Sequence, residues 1–180
     1  MTKAKSNVVT DFVAPIVVLV LICAVMSGLL ALTNNITKPI IDKAEEEANK
    51  AARIEVLPAA ADFEQVEIAG LPDSITGVFK ATNDVGYVFS ITTTGYGGKT
   101  TLKMAVGIGV DGKITETKVL SHSETAGLGS KITSDAFKNQ FPGKDANVEG
   151  VDNITGATFS SNYYRAAIAD AYTAYGMVAG

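Results

Sequence analysis

Asp152-Asn153-Ile154-Thr155-Gly156-Ala157-Thr158-Phe159-Ser160-Ser161 is short, built of small residues and rich in hydroxyls, and it ends where an apolar-periodic segment begins. Tyr164, Ala167, Ile168, Ala171, Tyr172 and Tyr175 recur every three to four residues, the period of one helix face. The stretch therefore reads as a tight turn feeding a helix, with Ser160 or Ser161 as the N-cap and Gly176 as the C-terminal stop. A helix N-terminus carries unpaired backbone N–H groups and a partial positive charge, so it suits a phosphate. Gly156 and Ala157 leave room for a bulky ligand to approach the backbone.

Upstream of this turn the period changes from that of a helix to that of a sheet. The segments 63–68, 77–81, 86–91, 102–108 and 114–120 read as strands. Asn83-Asp84-Val85-Gly86 and Val110-Asp111-Gly112-Lys113 read as the hairpin turns between them, since Asp-Gly supplies the positive φ that such turns need. Gly95-Tyr96-Gly97-Gly98 is a loop, either structural or a ligand rim, and no Gly-Lys-Ser/Thr follows to make it a P-loop. Residues 131–141 predict a short helix, ended by Pro142-Gly143. Strands first and helices around them make an α+β fold: an antiparallel sheet with flanking helices.

Two stretches of this fold carry a resemblance. Asp152, Thr155, Gly156, Ala157, Thr158 and Ser160 match the flavinylation pattern Asp-x-x-Ser/Thr-Gly-Ala-Thr-x-Ser/Thr. Glu124-Thr125-Ala126-Gly127-Leu128-Gly129 is similar to a second signature, Glu-Thr-Pro-Gly-Leu-Gly, with Ala126 in place of the proline. Together they resemble the FMN-binding G subunit of Rnf-type electron transport complexes and the related C subunit of the sodium-pumping NADH:quinone reductase. The resemblance implies covalent FMN, joined through its phosphate to the hydroxyl of Thr158, with Thr155, Ser160 and Ser161 as rival acceptors. It also implies a Mg-dependent flavin transferase with FAD as donor, and a loop beside the flavin that offers Glu124, Thr125, Leu128, Gly129 and Lys131. The implied function is electron relay in a membrane complex that moves electrons between ferredoxin and NAD and couples this to sodium or proton transport. The partners would be the other membrane subunits of that complex. The alternatives are a quinone-reductase C subunit, an anchored extracytoplasmic flavoprotein without ion pumping, and a non-redox scaffold.

The N-terminal part of the chain is organised for a membrane. Phe12 to Leu32 runs without a charge, long enough to cross a hydrocarbon core of about 30 Å. A signal-peptide core is shorter, roughly 7–15 residues. Lys3 and Lys5 before the span favour a cytoplasmic N-terminus, which would put the flavin domain on the extracytoplasmic side; Lys38 and Lys43 oppose that assignment. Thr37-Lys38-Pro39 reads as the start of a second helix, with Pro39 at its first position and a charged face of Glu45, Glu46, Glu47, Lys50 and Arg53. The expected division is a cytoplasmic segment 1–11, a transmembrane helix 12–33, a stalk helix 34–58 and an FMN-binding domain 59–180.

Inventory excludes other chemistries. His122 is the one histidine and Cys23, inside the apolar span, the one cysteine, so a His/Cys metal site and an intrachain disulfide are both ruled out. No Gly-x-Ser-x-Gly elbow is present. A net charge of -4 argues against nucleic acid. Thr158 has only neutral hydroxyls and Asp152 near it in sequence, so it reads as a target of modification rather than a nucleophilic catalyst.

Overall fold

The structure is a computed structural model and describes residues 12–179; segment 1–11, with Lys3 and Lys5, lies outside the described residues. The period-two stretches fold as five strands, β1 (Phe63–Val66), β2 (Ile75–Ala81), β3 (Gly86–Thr94), β4 (Thr101–Gly109) and β5 (Ile114–His122). They pair in chain order as an antiparallel meander. The β4–β5 turn closes on Gly112, whose φ of 73° is a left-handed conformation that glycine adopts without a Cβ penalty.

Both faces of this sheet are covered. That explains why β4 is buried without a break from Met104 to Gly109 instead of alternating. On one face lies the C-terminal helix. Its Tyr164, Ala167, Ile168, Ala171 and Ala174 join Phe89, Ile91, Met104, Val106 and Ile108 in a single core. A bulge between Ile75 and Gly77 in β2 lets Ile75 and Val78, three residues apart, both enter that core. Tyr164 is fully buried, packed against the rings of Phe137 and Phe141 at 5.2 and 5.0 Å, and its hydroxyl donates to Thr117 Oγ1 at 2.8 Å. Burial pushes its phenol well above the ordinary value, and the Thr117 bond offsets this only in part.

The opposite face is closed by the end of the N-terminal helix α1 (Ala14–Val56) and the residue after it. Ala52, Val56 and Leu57 bury against Ala81, Val88 and Ala105. Gly107 permits the approach, because a Cβ there would overlap the Val56 carbonyl and the Thr115 hydroxyl. That hydroxyl donates to the same Val56 carbonyl. Lys118 pairs with Glu55 at 2.8 Å, and the Arg53 guanidinium sits 4.0 Å from the centroid of the Phe79 ring. By contact the chain divides between Glu46 and Glu47, so these closing turns belong to the folded unit and not to the apolar one.

Three expectations are corrected. The helix expected to start at Thr37-Lys38-Pro39 is not separate: α1 runs unbroken past Pro39 to Val56. Proline at an interior position removes one i→i−4 donor, and the cooperative ladder on either side carries the helix through. The hydroxyls of Thr33 and Thr37 turn back on the carbonyls of Leu29 and Thr33, each at 2.9 Å. Residues 129–138 form a 3₁₀ turn, Gly129–Thr133, and one turn of helix α2, Asp135–Lys138, separated by extended Ser134. The C-terminal helix α3 spans Thr158–Val178, so it begins before Ser160 and passes through Gly176.

Candidate functional site

The start of α3 shows why the serines do not cap it. The N-cap residue is Ala157, with φ −134° and ψ 34°, and no side chain caps the helix. Ser160 and Ser161 lie in the first turn and are 3% and 0% exposed. Ser161 Oγ accepts the Ile154 N–H at 3.1 Å and donates to the Ala157 carbonyl at 3.0 Å, which ties the preceding turn to the helix. Ser160 Oγ points elsewhere and donates to Glu124 Oε2 at 2.7 Å. Among the described residues no protein acceptor is recorded for the N–H groups of Thr158, Phe159 and Ser160. The helix thus opens with free donors at its positive end.

These donors border a cleft of about 260 Å³ lined by Tyr96, Glu124, Thr125, Leu128, Gly129, Gly156, Ala157, Thr158, Phe159 and Ser160. Three separate segments form it, and Glu124 joins them. Its Oε1 accepts the Tyr96 N–H at 3.0 Å and the Thr100 hydroxyl at 2.8 Å, while Oε2 takes Ser160. Burial alone raises the Glu124 pKa; the bonds from Ser160, Thr100 and the Tyr96 amide, with His122 nearby, outweigh it and hold the carboxyl below the usual range. Gly95 and Gly129 make space for this carboxylate, since a Cβ at either would overlap its oxygens. Around the mouth stand Tyr96, Leu128 and Phe159, more than half exposed, with the Tyr96 and Phe159 rings edge to face at 5.6 Å. An apolar rim above a floor of donors suits a planar ring bearing a phosphate.

Of the residues singled out in the sequence, Glu124, Thr125, Leu128, Gly129, Gly156, Ala157, Thr158 and Ser160 meet in this lining. Thr158 is exposed, and Gly156 holds a left-handed φ of 81°. Asp152, Thr155 and Lys131 are exposed and are not part of the lining. The Asp152 amide donates to Gln140 Oε1 at 2.8 Å, and Arg165 holds the carbonyl of Val151 just before it. His122, expected in a loop, is instead the last residue of β5, and it accepts the Glu124 N–H on Nδ1 at 3.3 Å. Sequence reasoning had the 95–98 loop as a structural loop or a ligand rim without singling out Tyr96, and it passed over Thr100 and Phe159. The signals were an aromatic amid the glycines of 95–98 and another beside the last threonine of the Gly-Ala-Thr turn.

Fold and cleft together define an antiparallel-sheet domain built to hold a phosphate-bearing planar ligand. Residues 95–173, which contain the whole cleft, match the FMN-binding domain family. The chain is 38% identical over 161 residues to the G subunit of the ion-translocating oxidoreductase complex of Methanosarcina acetivorans, covering 81% of this chain and 85% of the relative. It is 33% identical over 172 residues to the G subunit of the Na(+)-translocating ferredoxin:NAD(+) oxidoreductase complex of Acetobacterium woodii, covering 80% and 82%. The crystal structure of NqrC from Shewanella oneidensis aligns with a TM-score of 0.45 at 20% identity, over 63% of this chain and 66% of that one. The chain belongs to the family of G subunits of ion-translocating oxidoreductase complexes. With one described helix long and apolar enough to cross a membrane, none of whose apolar window is buried, it is a single-pass membrane protein.

Proposed function

We propose that this chain is the electron-relay subunit of a membrane-bound, ion-translocating ferredoxin:NAD oxidoreductase, and that it carries FMN as a phosphoester on Thr158. One observation carries the reading: the exposed Thr158 hydroxyl stands at the first position of α3, beside N–H groups without a protein acceptor and beneath the rim of Tyr96, Leu128 and Phe159. The donor set fits the group. The amides of Phe159 and Ser160 would hold phosphate oxygens, the rim would cover the ring, and Gly156 leaves the backbone open. Bound FMN would supply reversible electron transfer, and the protein sets its exposure and local charge.

Thr158 is a target here and not a catalyst. Glu124 is the one carboxylate lining the cleft, and its oxygens are committed to three donors that hold it below the ordinary range, so it is a poor base for the Thr158 hydroxyl. On this reading a separate enzyme, the Mg-dependent flavin transferase with FAD as donor that the resemblance implies, supplies the activation. Among the rival acceptors Ser160 and Ser161 are buried with their hydroxyls engaged, and Thr155 is outside the lining. Residues 12–33 cross the membrane, 34–58 form the stalk and 59–180 the FMN-binding domain on the extracytoplasmic side, with the remaining subunits of the complex as partners. The last turn of that stalk is part of the domain's own packing.

The test is co-expression with a flavin transferase, read by in-gel flavin fluorescence under denaturing conditions and by peptide mass. Thr158→Ala should abolish the label and Thr158→Ser should keep part of it. A covalent FMN mass persisting on the Thr158→Ala protein would place the acceptor elsewhere.

A further inference from the structure

Glu124 is 9% exposed, and the hydrogen bonds that hold it come from neutral groups, one amide and two hydroxyls. The imidazole beside it offers Nδ1 as an acceptor to the Glu124 amide and brings no donor to the carboxylate through that nitrogen. Two glycines from different segments, Gly95 and Gly129, are shaped around the carboxylate. The fold thus accommodates a fixed anion in the wall of the cleft, at the helix end where a phosphate-bearing ligand would lie. Such a charge acts on any charge that develops close by, and the more strongly the less solvent lies between them.

We propose that Glu124 is a positioning residue with an electrostatic role: it ties the Tyr96 rim to the first turn of α3, and its fixed negative charge lowers the electron affinity of the flavin in the cleft. This rests on the reading of the cleft as the FMN site. The two roles separate chemically. Gln has the same length and can accept from Tyr96 and Thr100 while Ser160 rotates to accept from its amide, so Glu124→Gln removes the charge and keeps the tie. Asp keeps the charge, but one carbon shorter it cannot reach both Tyr96 and Ser160. FMN held in this cleft would gain negative charge on reduction within the field of the Glu124 carboxylate, so the natural protein should be harder to reduce than the Gln variant.

The experiment uses the full-length protein in detergent, flavinylated by co-expression with a transferase, and poised against a dye of known potential. A second preparation, made without transferase, reports amide exchange at Tyr96. In Glu124→Gln the reduced-to-oxidised ratio at a fixed potential should rise by about fivefold or more, with Tyr96 exchange near that of the natural protein. In Glu124→Asp the potential should stay near the natural value, while Tyr96 exchange speeds up by about tenfold. A flavinylated Gln variant with an unchanged ratio, or an Asp variant with unchanged Tyr96 exchange, overturns the proposal. Absence of covalent FMN from the natural sequence overturns the site reading itself, and this inference with it.

Discussion

Gly129→Ala tests the construction of the cleft without touching a hydrogen-bonding group. The backbone at Gly129 is not in the left-handed region, so alanine meets no conformational penalty there. Its Cβ, however, would overlap Glu124 Oε2 and lie 2.7 Å from Ser160 Oγ and 3.0 Å from Glu124 Cβ. The carboxylate must swing away, and the Ser160 bond is lost. A hydrogen bond to a charged group contributes about 1.5–3 kcal/mol. Restricting the unfolded chain returns about 0.4–1 kcal/mol. The net loss is about 1–2 kcal/mol, a fall of roughly 3–10 °C in Tm for a domain of this size. Thermal unfolding of the full chain in detergent, followed by circular dichroism at neutral pH, measures it. In a Ser160→Ala background the bond is already gone, so the same substitution should cost about 1.5–3 kcal/mol less. Gly127→Ala is the control: its φ of 76° makes it strained in open space, and its effect should add to that of Ser160→Ala. A Gly129→Ala protein as stable as the natural one, or additivity with Ser160→Ala, refutes the reasoning.

Acid should weaken the domain through Glu124. Its folded pKa is depressed, so its contribution is complete above the ordinary carboxylate value of 4.5 and is lost as pH falls from there through the lower folded value. Tm measured against pH should drop over that window, less steeply in Glu124→Gln, and equal slopes would refute the assignment. Deleting residues 1–33 should leave a soluble, cooperatively melting protein. Deletion through Leu57 should not, because Val56 and Leu57 each contribute about 1.5–3 kcal/mol by burial over Ala81, Val88 and Ala105; a soluble, cooperatively melting product of the longer deletion would remove α1 from the core.

The five strands were legible because alternation is a local signal, and the turns at Asp84 and Gly112 carry residues that tolerate positive φ. The extension of β3 to Thr94 and of β5 to His122 was not, because Thr92, Thr93 and Ser121 are polar and are held by pairing with β4 rather than by an apolar face. Pro39 misled for the opposite reason: a breaker acts on one hydrogen bond, and whether the helix ends there depends on the segments on both sides. The cleft was half legible. Two stretches some thirty residues apart in sequence were each recognisable, yet the bond that joins them, Ser160 to Glu124, is a tertiary fact. Thr100 and Tyr96 became site residues only because β4 and β5 pair and bring Thr100 to Glu124.

The least expected feature, a helix opening on alanine, follows from the same competition. Alanine is a poor N-cap, and replacing a good cap by it costs a helix about 0.5–2 kcal/mol. Two serines are at hand, but both lie inside the first turn rather than at the cap, one bonded to Glu124 and the other to Ile154, and the alanine side chain at the cap has no acceptor, so the donors at Thr158, Phe159 and Ser160 stay open. A side chain that satisfied them would compete with a phosphate for the same N–H groups. Ala157→Ser should therefore stabilise the unflavinylated protein by about 0.5–1 kcal/mol and reduce FMN incorporation in co-expression with a transferase. Tm of the unlabelled protein and covalent flavin per chain measure the two effects. If the serine raises Tm and leaves incorporation unchanged, the helix donors are not where the phosphate is held.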